Sequence, residues 1–403
     1  MTLQVRRAFK YRFYPTDRQA VELSRTFGCV RFVYNRALEE RTRAWNSEQR
    51  RISYAQSSAA LTQWKKTEEL AFLAEVPAVP LQQALRHLQT AFTNFFAKRT
   101  SYPRYKSRKK SRASASYTRA GFTWRDGKLT LAKMAGPLDI RWSRPLPPGA
   151  EPTTVTVSRD SAGRWFVSLL CKDTVAPAPA ATAAVGVDAG ISFLVTLSTG
   201  EKICNPRHEQ RDRTRLARRQ RDLSRKVKGS NNRAKARVKV ARVHARIADR
   251  RRDFLHKLST RLVRENQTVV IEDLAVRNLL RNGRLARAIS DASWTELRSM
   301  LEYKCAWYGR ELVLVNRWFP SSKLCGICGT VRGKLPLHLR DWTCDTCASV
   351  HDRDVNAARN ILAAGLAASA CGDGVRPQRE SSRTGRSSVK QEPQRATAGI
   401  FRL

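Results

Sequence analysis

Within seventeen residues, CDTCASVHDRDVNAARN (Cys344 to Asn360), the chain places two thiols, an imidazole and three carboxylates ahead of an alanine-rich run. Fifteen residues separate Cys344 from the second cysteine of another CxxC pair, Cys325 and Cys328. A CxxC turn directs backbone amides toward its thiolates, and two such knuckles supply the closed four-sulfur site of a zinc ribbon. Cys325, Cys328, Cys344 and Cys347 are therefore expected to hold one structural Zn²⁺. A redox pair or two disulfides is the competing reading, disfavoured by a reducing compartment. His351 is a further candidate ligand, but the site-edge or substrate contact is the favoured reading, because four thiolates already fill a tetrahedral ion. Six residues separate Cys347 from Asp354, so the ribbon would fix where the next helix begins and where Asp354 points. Structural zinc supplies on the order of 10 kcal/mol of folding energy, enough to order a segment with little core of its own.

Two further carboxylates close β-branched runs. Asp188 ends AVGVD just before Ala189 and Gly190, and Glu272 ends TVVIE. Open α/β sheets gather ligands outside the carboxyl ends of their parallel strands. Asp354 falls in the first turn of a helix, where the dipole favours a negative charge. Each acid alone is ordinary: an Asp after a strand is often a turn residue, and Asp354 could be an N-cap. Three acids meeting in a strongly cationic chain would be unstable without divalent cations. Such a pocket suits two Mg²⁺ (or Mn²⁺) about 4 Å apart, one activating water and one stabilising the leaving oxygen of a phosphodiester. Asp273 and Asp352 are neighbouring acids that either assist or stand exposed.

The elements that must carry these residues follow from pattern. At 403 residues the chain should divide into several packed units. Val5 to Pro15 reads as a strand, and Thr16 with Gln19 as a capping box opening a helix marked by Val21, Phe27, Val30, Tyr34 and Leu38. Leu81, Leu85, Leu88, Phe92 and Phe95 mark another helix. From about Ser114 the signals turn to strands: a DG hairpin in WRDGKLTL, then TVTVS and RWFVSLLCK about a turn at RDSAG. A compact β-barrel or sandwich over 114–174, joined by the N-terminal strand, is expected. A Pro/Ala linker then precedes strands and helices in the order of a partly parallel α/β sheet. The tail from Cys371 is polar and expected to be disordered. Cys29, Cys171, Cys204, Cys305 and Cys371 read as buried or inert thiols.

The charge names the partner class. Lys and Arg number 76 against 34 Asp and Glu, a formal charge of +42, which calls for a polyanion, nucleic acid before a membrane surface. No apolar stretch approaches a spanning helix and Met1 to Pro15 lacks a signal-peptide core, so a cytoplasmic protein is expected. Arg211 to Arg252 holds eighteen basic and three acidic residues about GSNN. This is a basic helical hairpin that packs through Val243, Ile247, Phe254, Leu258 and Leu262 and offers Arg218, Arg219, Arg225 and Lys226 to phosphates. YPRYKSRKK interleaves Tyr102 and Tyr105 with Arg104, Lys106, Arg108, Lys109 and Lys110, the mix found where bases stack and backbones are neutralised. Charge alone fits RNA, DNA or both.

VGVDAGISFLVTLSTGE, TVVIEDLAVRNLLRN, ISDASWTELRSMLEYKCAWYGR, FPSSKLCGICG and CDTCASVHDRDVNAARNI together resemble the TnpB family, transposon-encoded RuvC-like RNA-guided nucleases ancestral to type V CRISPR effectors. FGCVRFVYNRAL, LQQALRHLQTAFTNFF and YPRYKSRKK resemble its helical and bridging segments, so the resemblance spans nearly the whole chain. It implies an α/β and α+β multidomain fold. A wedge β-barrel would take 1–15 and 114–174, and a helical recognition domain 16–113. After a linker at 175–183, an RNase H-like (RuvC) nuclease domain would take 184–322 with the basic hairpin at 207–264, then a zinc-ribbon insertion at 323–350 and the third nuclease motif at 351–370, before the tail at 371–403.

The resemblance also implies that Asp188, Glu272 and Asp354 are the catalytic carboxylates and that Lys323, Arg332, Lys334 and Arg340 help the ribbon load the target strand. Tyr54 and Ser58, in SYAQSS, would contact the short motif flanking the target. The implied activity is RNA-guided cleavage of double-stranded DNA with an omega-type guide RNA, by a protein acting as a monomer in its complex and aiding transposon retention. The alternatives are a nuclease-inactive guided repressor and an unguided RNase H-like transposase or resolvase.

Overall fold

The computed structural model describes residues 3–109, 111–333, 335–336 and 338–370. The expectations for Lys110, Lys334, Cys371 and the polar tail lie outside the described residues. The N-terminal part runs β1 (Leu3–Phe13), α1 (Asp17–Glu48), α2 (Tyr54–Trp64), α3 (Phe72–Glu75), α4 (Ala78–Phe96), β2 (Ala113–Thr118), β3 (Phe122–Arg125), β4 (Lys128–Leu131), β5 (Ile140–Arg141), β6 (Pro152–Arg159) and β7 (Trp165–Val175). The capping box opens α1 as expected: Gln19 N–H donates to Thr16 Oγ1 at 3.3 Å, and the Gln19 side chain accepts from Thr16 N–H at 3.1 Å. Val21 is the exception in that helix. It is 60% exposed, because the buried stripe runs through Leu23, Phe27, Val30, Tyr34 and Leu38, and Val21 lies off that face.

The N-terminal strand joins the later ones. β1 pairs along its whole length with β7, and the antiparallel order is β2-β6-β7-β1-β5. Its alternation puts Phe9, Tyr11 and Phe13 inward and Lys10 outward. The expected barrel does not form. This is an open five-stranded sheet, since β2 and β5 do not pair and β5 is only two residues long. Helices cover the sheet instead of closure, and Leu23, Phe27, Leu85 and Leu88 share one continuous core with Val157, Val167 and Leu169. The DG hairpin does form: Asp126 and Gly127 have φ 50° and 72° between β3 and β4, both in the left-handed region that a two-residue turn requires.

The Pro/Ala segment is pinned rather than free. Ala178 N–H donates to Tyr308 O, and Arg310 donates to Pro179 O at 2.6 Å. Beyond it come β8 (Ala184–Ala189), β9 (Phe193–Leu197), β10 (Lys202–Cys204), α5 (His208–Ser224), α6 (Asn231–Glu265), β11 (Thr268–Glu272), α7 (Val276–Leu279), α8 (Ala286–Ala292), α9 (Trp294–Tyr308), β12 (Glu311–Val315), β13 (Asp341–Thr343), β14 (Val350–Asp352) and α10 (Arg353–Ala370). The main sheet has the order β10-β9-β8-β11-β12, antiparallel up to β8 and parallel from β8 through β12.

Its two faces are covered differently. Val185, Val187, Val269 and Ile271 face Leu255, Leu258, Leu262 and Leu301 of α6 and α9. Val270, Val313 and Val315 face Ile361 of α10. α10 lies almost on the strands: a Cβ at Gly186 of β8 would sit 2.1 Å from Ala358 O, and one at Gly365 of α10 would sit 2.4 Å from Val270 Cγ1. Gly186→Ala should therefore destabilise the chain by about 3 kcal/mol or more, beyond ordinary overpacking, because the clash is with backbone. Gly28→Ala in α1, where nothing lies within 4 Å, should instead stabilise by about 0.5–1 kcal/mol. Thermal unfolding of the two variants checks the contrast.

Candidate metal centres and nucleic-acid interface

The cysteine hook folds as two matching knuckles. Cys325 N–H donates to Thr330 O and Cys344 N–H to Ser349 O, both at 2.9 Å, while Gly329 and Ala348 N–H return to Cys325 O and Cys344 O. Gly329 and Ala348, each directly after a second cysteine, take positive φ of 75° and 55°. The four sulfurs lie within 4.8 Å of one another, with 3.6 Å for both Cys325–Cys347 and Cys328–Cys344. Tetrahedral zinc with bonds of about 2.3 Å sets sulfurs about 3.8 Å apart, so the donor set fits that ion. The Thr330 hydroxyl beside Cys328 pulls its thiol down to about 6, while burial pushes Cys325 up to about 11. His351 Nε2 lies 3.1 Å from Cys325 Sγ and its ring packs on Trp342, which places it beside the sulfurs. The remaining cysteines are unbridged among the described residues; Cys29, Cys171 and Cys305 are buried, but Cys204 is exposed, because β10 is an edge strand.

The carboxylates gather at the strand ends. Val187 pairs with Ile271 in parallel register, so Asp188 and Glu272 are the next residues of adjacent strands, which lie about 4.8 Å apart. By strand alternation they point to the face that carries α10, as do Gly186 and Val270. Asp188 is packed so closely that burial, then the charges of Glu272 and Asp354, raise its carboxyl to about 7 against a weaker opposing pull from Arg353. Glu272 accepts from Ser321 Oγ at 2.5 Å. Asp354 faces Arg340, whose Nη1 is 3.4 Å from both carboxylate oxygens and whose Nη2 reaches Ser192 Oγ. Among the described residues the cysteines alone meet closely enough to grip an ion as they stand; Glu272 and Asp354 act on Asp188 through their charge while held by Ser321 and Arg340.

The neighbouring acids are committed elsewhere. Asp352, not Asp354, caps α10 by accepting from Val355 N–H at 2.9 Å, and it is paired with Lys202. Asp273 is held by Arg298 and Arg317, which keep its carboxyl below the usual range. Asp354 and Glu272 are thus left facing the common space.

Sequence reasoning missed the clamp between the two centres. Asn356 of α10, buried, donates to Leu324 O at 2.7 Å and accepts from Gly326 N–H at 3.1 Å. Asn360, one turn on, donates to Ser321 O at 2.8 Å and to Leu324 O at 2.7 Å. A continuous set of contacts therefore joins Glu272, through Ser321 and the two asparagines, to the knuckle of Cys325. Polar residues at i and i+4 inside an alanine-rich helix were the available signal.

The nucleic-acid candidates are spread over both parts. Arg104, Tyr105, Arg108 and Lys109 are exposed. Lys106 is partly withdrawn: its ammonium lies 3.9 Å from the Tyr34 ring centre and its backbone is bonded both ways to Asn35. Tyr54 lies under Arg86 and Ser58 is half-buried. Arg219, Arg225 and Lys226 line a cavity of about 450 Å³ between α5 and α6, and Arg218 is exposed beside it. In α6, Val243 and Ile247 pack on Leu216 of α5, while Leu258 and Leu262 pack on the main sheet; one helix thus ties the basic hairpin to the carboxylate sheet.

Acids at adjacent parallel strand ends, a helix returning a third to the same face and a four-cysteine knuckle against that helix define a RuvC-containing α/β multidomain protein. The comparisons agree. A family model described as "Probable transposase" matches residues 155–283, one described as "Cas12f1-like, TNB domain" matches 294–361, and one described as "Helix-turn-helix domain" matches 1–50, where the structure has β1 and the single long helix α1. A Streptomyces pristinaespiralis protein named "Putative RNA-guided DNA endonuclease" is 84% identical over the full length of both chains. The Escherichia coli K12 protein named "Putative RNA-guided DNA endonuclease InsQ" is 36% identical over 96% of this chain and 97% of its own. A Cas12f1 chain solved with sgRNA and target DNA shares the fold at TM-score 0.56 and 13% identity, over 90% of this chain and 99% of that one. The chain belongs to the TnpB family.

Two outcomes follow from the clamp and the buried acid. Asn360→Ala should slow any chemistry that needs Glu272 about tenfold or more, since a small misplacement of a positioned group is costly, while four-sulfur zinc binding, read by cobalt substitution spectra, persists. Asp188, with its folded pKa raised above the unfolded value, binds an extra proton only when folded. Stability therefore falls as pH rises from about 4 towards 7. Asp188→Asn should remove that fall, melting above wild type at pH 8 but not at pH 4 in buffer without added divalent cations.

Proposed function

We propose that the chain is an RNA-guided DNA endonuclease. Asp188, Glu272 and Asp354 serve as its catalytic carboxylates, and Cys325, Cys328, Cys344 and Cys347 as its structural zinc ligands. The observation that carries the reading is the convergence of three acids on one face of a mixed sheet within a chain of formal charge +42. Their all-oxygen donor set suits Mg²⁺, which when bound would supply water activation and neutralisation of the leaving oxygen. The chain's own part is positional. Ser321 orients Glu272, Asp352 and Lys202 hold the start of α10, and Arg340 neutralises Asp354 until a phosphate or cation takes over that charge.

The rest of the reading is a division of labour. Among the described residues no small helical module suited to the major groove stands out, which supports delegation of sequence recognition to base pairing with a guide RNA from the chain's own locus. The basic hairpin and the Tyr102 to Lys109 segment hold phosphates of the heteroduplex. The protein works as a monomer on that complex, in the compartment that holds the DNA, and supports transposon retention by cutting the vacated site.

The test is to purify the protein from its host and sequence the accompanying RNA. A discrete species from the 3′ end of its own gene is expected; heterogeneous bulk RNA would count against guidance. Asp188→Ala should lower Mg²⁺-dependent cleavage of a guide-matched duplex by about a thousandfold or more, the scale of a lost metal site, while nucleic-acid affinity stays within about twofold. Undiminished cutting would overturn the assignment. If six or more phosphates are contacted, affinity should drop roughly 10³-fold or more between about 50 and 200 mM salt.

A further inference from the structure

A second cavity, of about 450 Å³, opens between α1, the loop that follows it, α4 and Tyr102, within the range of about 300–1,000 Å³ typical of small-ligand sites. Its walls are aromatic and wet: Trp45 is 44% exposed, Phe96 61% and Tyr102 42%. Large rings grouped this openly mark a binding surface. They are also held in place. Tyr102 meets Phe92 and Phe95 edge to face at 5.6 and 5.3 Å, and its hydroxyl is 2.8 Å from Thr42 Oγ1.

The charge in the cavity is one-sided. Arg41 is only 7% exposed, yet its guanidinium meets only neutral groups, Ser57 Oγ at 3.0 and 3.1 Å and Gln89 Oε1 at 3.0 Å. Arg51 lies over both Trp45 and Phe96, 5.6 Å from each ring centre. Among the described residues neither arginine has a carboxylate partner, and only Arg50 is paired, with Glu48. A buried cation without a counterion is costly and calls for an anion. Flat aromatic faces beside unpaired guanidinium groups suit a planar base with its phosphate. From Tyr102 the chain runs on to another cavity, lined by Lys106, Arg108, Arg112 and Arg159, which continues the positive path for a backbone.

We propose that this cavity binds one unpaired nucleotide, its base against Trp45, Phe96 and Tyr102 and its phosphate toward Arg41 and Arg51. The proposal rests on the nucleic-acid reading above and deepens it by assigning a site for a splayed-out base, from either the guide RNA or the displaced DNA strand. The copurifying RNA, resynthesised with 4-thiouridine, and separately a target duplex carrying 5-iododeoxyuridine in the displaced strand, are irradiated in the full complex and the adducted peptides identified by mass spectrometry. An adduct on Trp45, Phe96 or Tyr102 is expected in one arm, which names the source. Phe96→Ala and Trp45→Ala should each weaken binding of that nucleic acid about tenfold, the scale of one stacked base, with unchanged melting temperature and with recovery in Phe96→Trp. Adducts confined to other peptides in both arms, or wild-type affinity in both variants, would overturn the proposal while leaving guided binding intact. A chain that binds neither nucleic acid would sink both readings.

Discussion

The structure depends on how closely α10 can lie against the main sheet. Gly186 on the strand and Gly365 on the helix remove the two side chains that would hold them apart, and the helix backbone then sits directly over β8 and β11. This separation sets where Asp354 stands relative to Asp188 and Glu272. It also sets where Asn356 and Asn360 meet the loop that leads into Cys325. The carboxylate centre and the cysteine knuckle are therefore two ends of one helix-to-sheet contact. The glycines carry no chemistry, yet the chemistry has no geometry without them.

Around that contact the chain sorts its few negative charges with care. Four acids outside the centre are paired: Asp273 with two arginines, Asp352 with Lys202 and a helix amide, Asp212 with Arg250, Asp291 with Arg251. At the centre, Glu272 and Asp354 lie close enough to raise the charging cost of Asp188, and among the described residues Arg340 is the guanidinium paired with Asp354. Like charges held together by packing store an electrostatic cost that a divalent cation would relieve. The opposite arrangement holds at α1, where Arg41 is buried against Ser57 and Gln89 with no acid beside it among the described residues. The molecule thus sets an acidic centre on its main sheet apart from cavities lined by arginine and lysine.

Much of this was legible along the chain because it is local. The CxxC pairs, the Thr16 capping box, the DG turn and the β-branched runs ending in Asp188 and Glu272 each depend on residues within a few positions of one another. Others were misread for want of a partner. Val21 looks apolar enough for the core but falls off the buried stripe of α1. The strands of residues 114–174 have barrel-like alternation, yet whether a sheet closes depends on its edges, and here helices cover the face while β2 and β5 stay apart. Asp352 and Asp354 are indistinguishable by spacing until the Val355 amide selects the former as the cap.

The sequence by itself determined the donor chemistry: four thiolates at ribbon spacing, three acids at element ends, and a cationic excess that requires a polyanion. Residue type and short-range spacing carry that information because ligand identity and turn geometry are local properties. Only the tertiary structure decided which acids face one space, which are consumed by arginines, and that two asparagines join the knuckle to Glu272. Those outcomes depend on contacts between segments distant along the chain, which form only once α10 has packed onto the sheet.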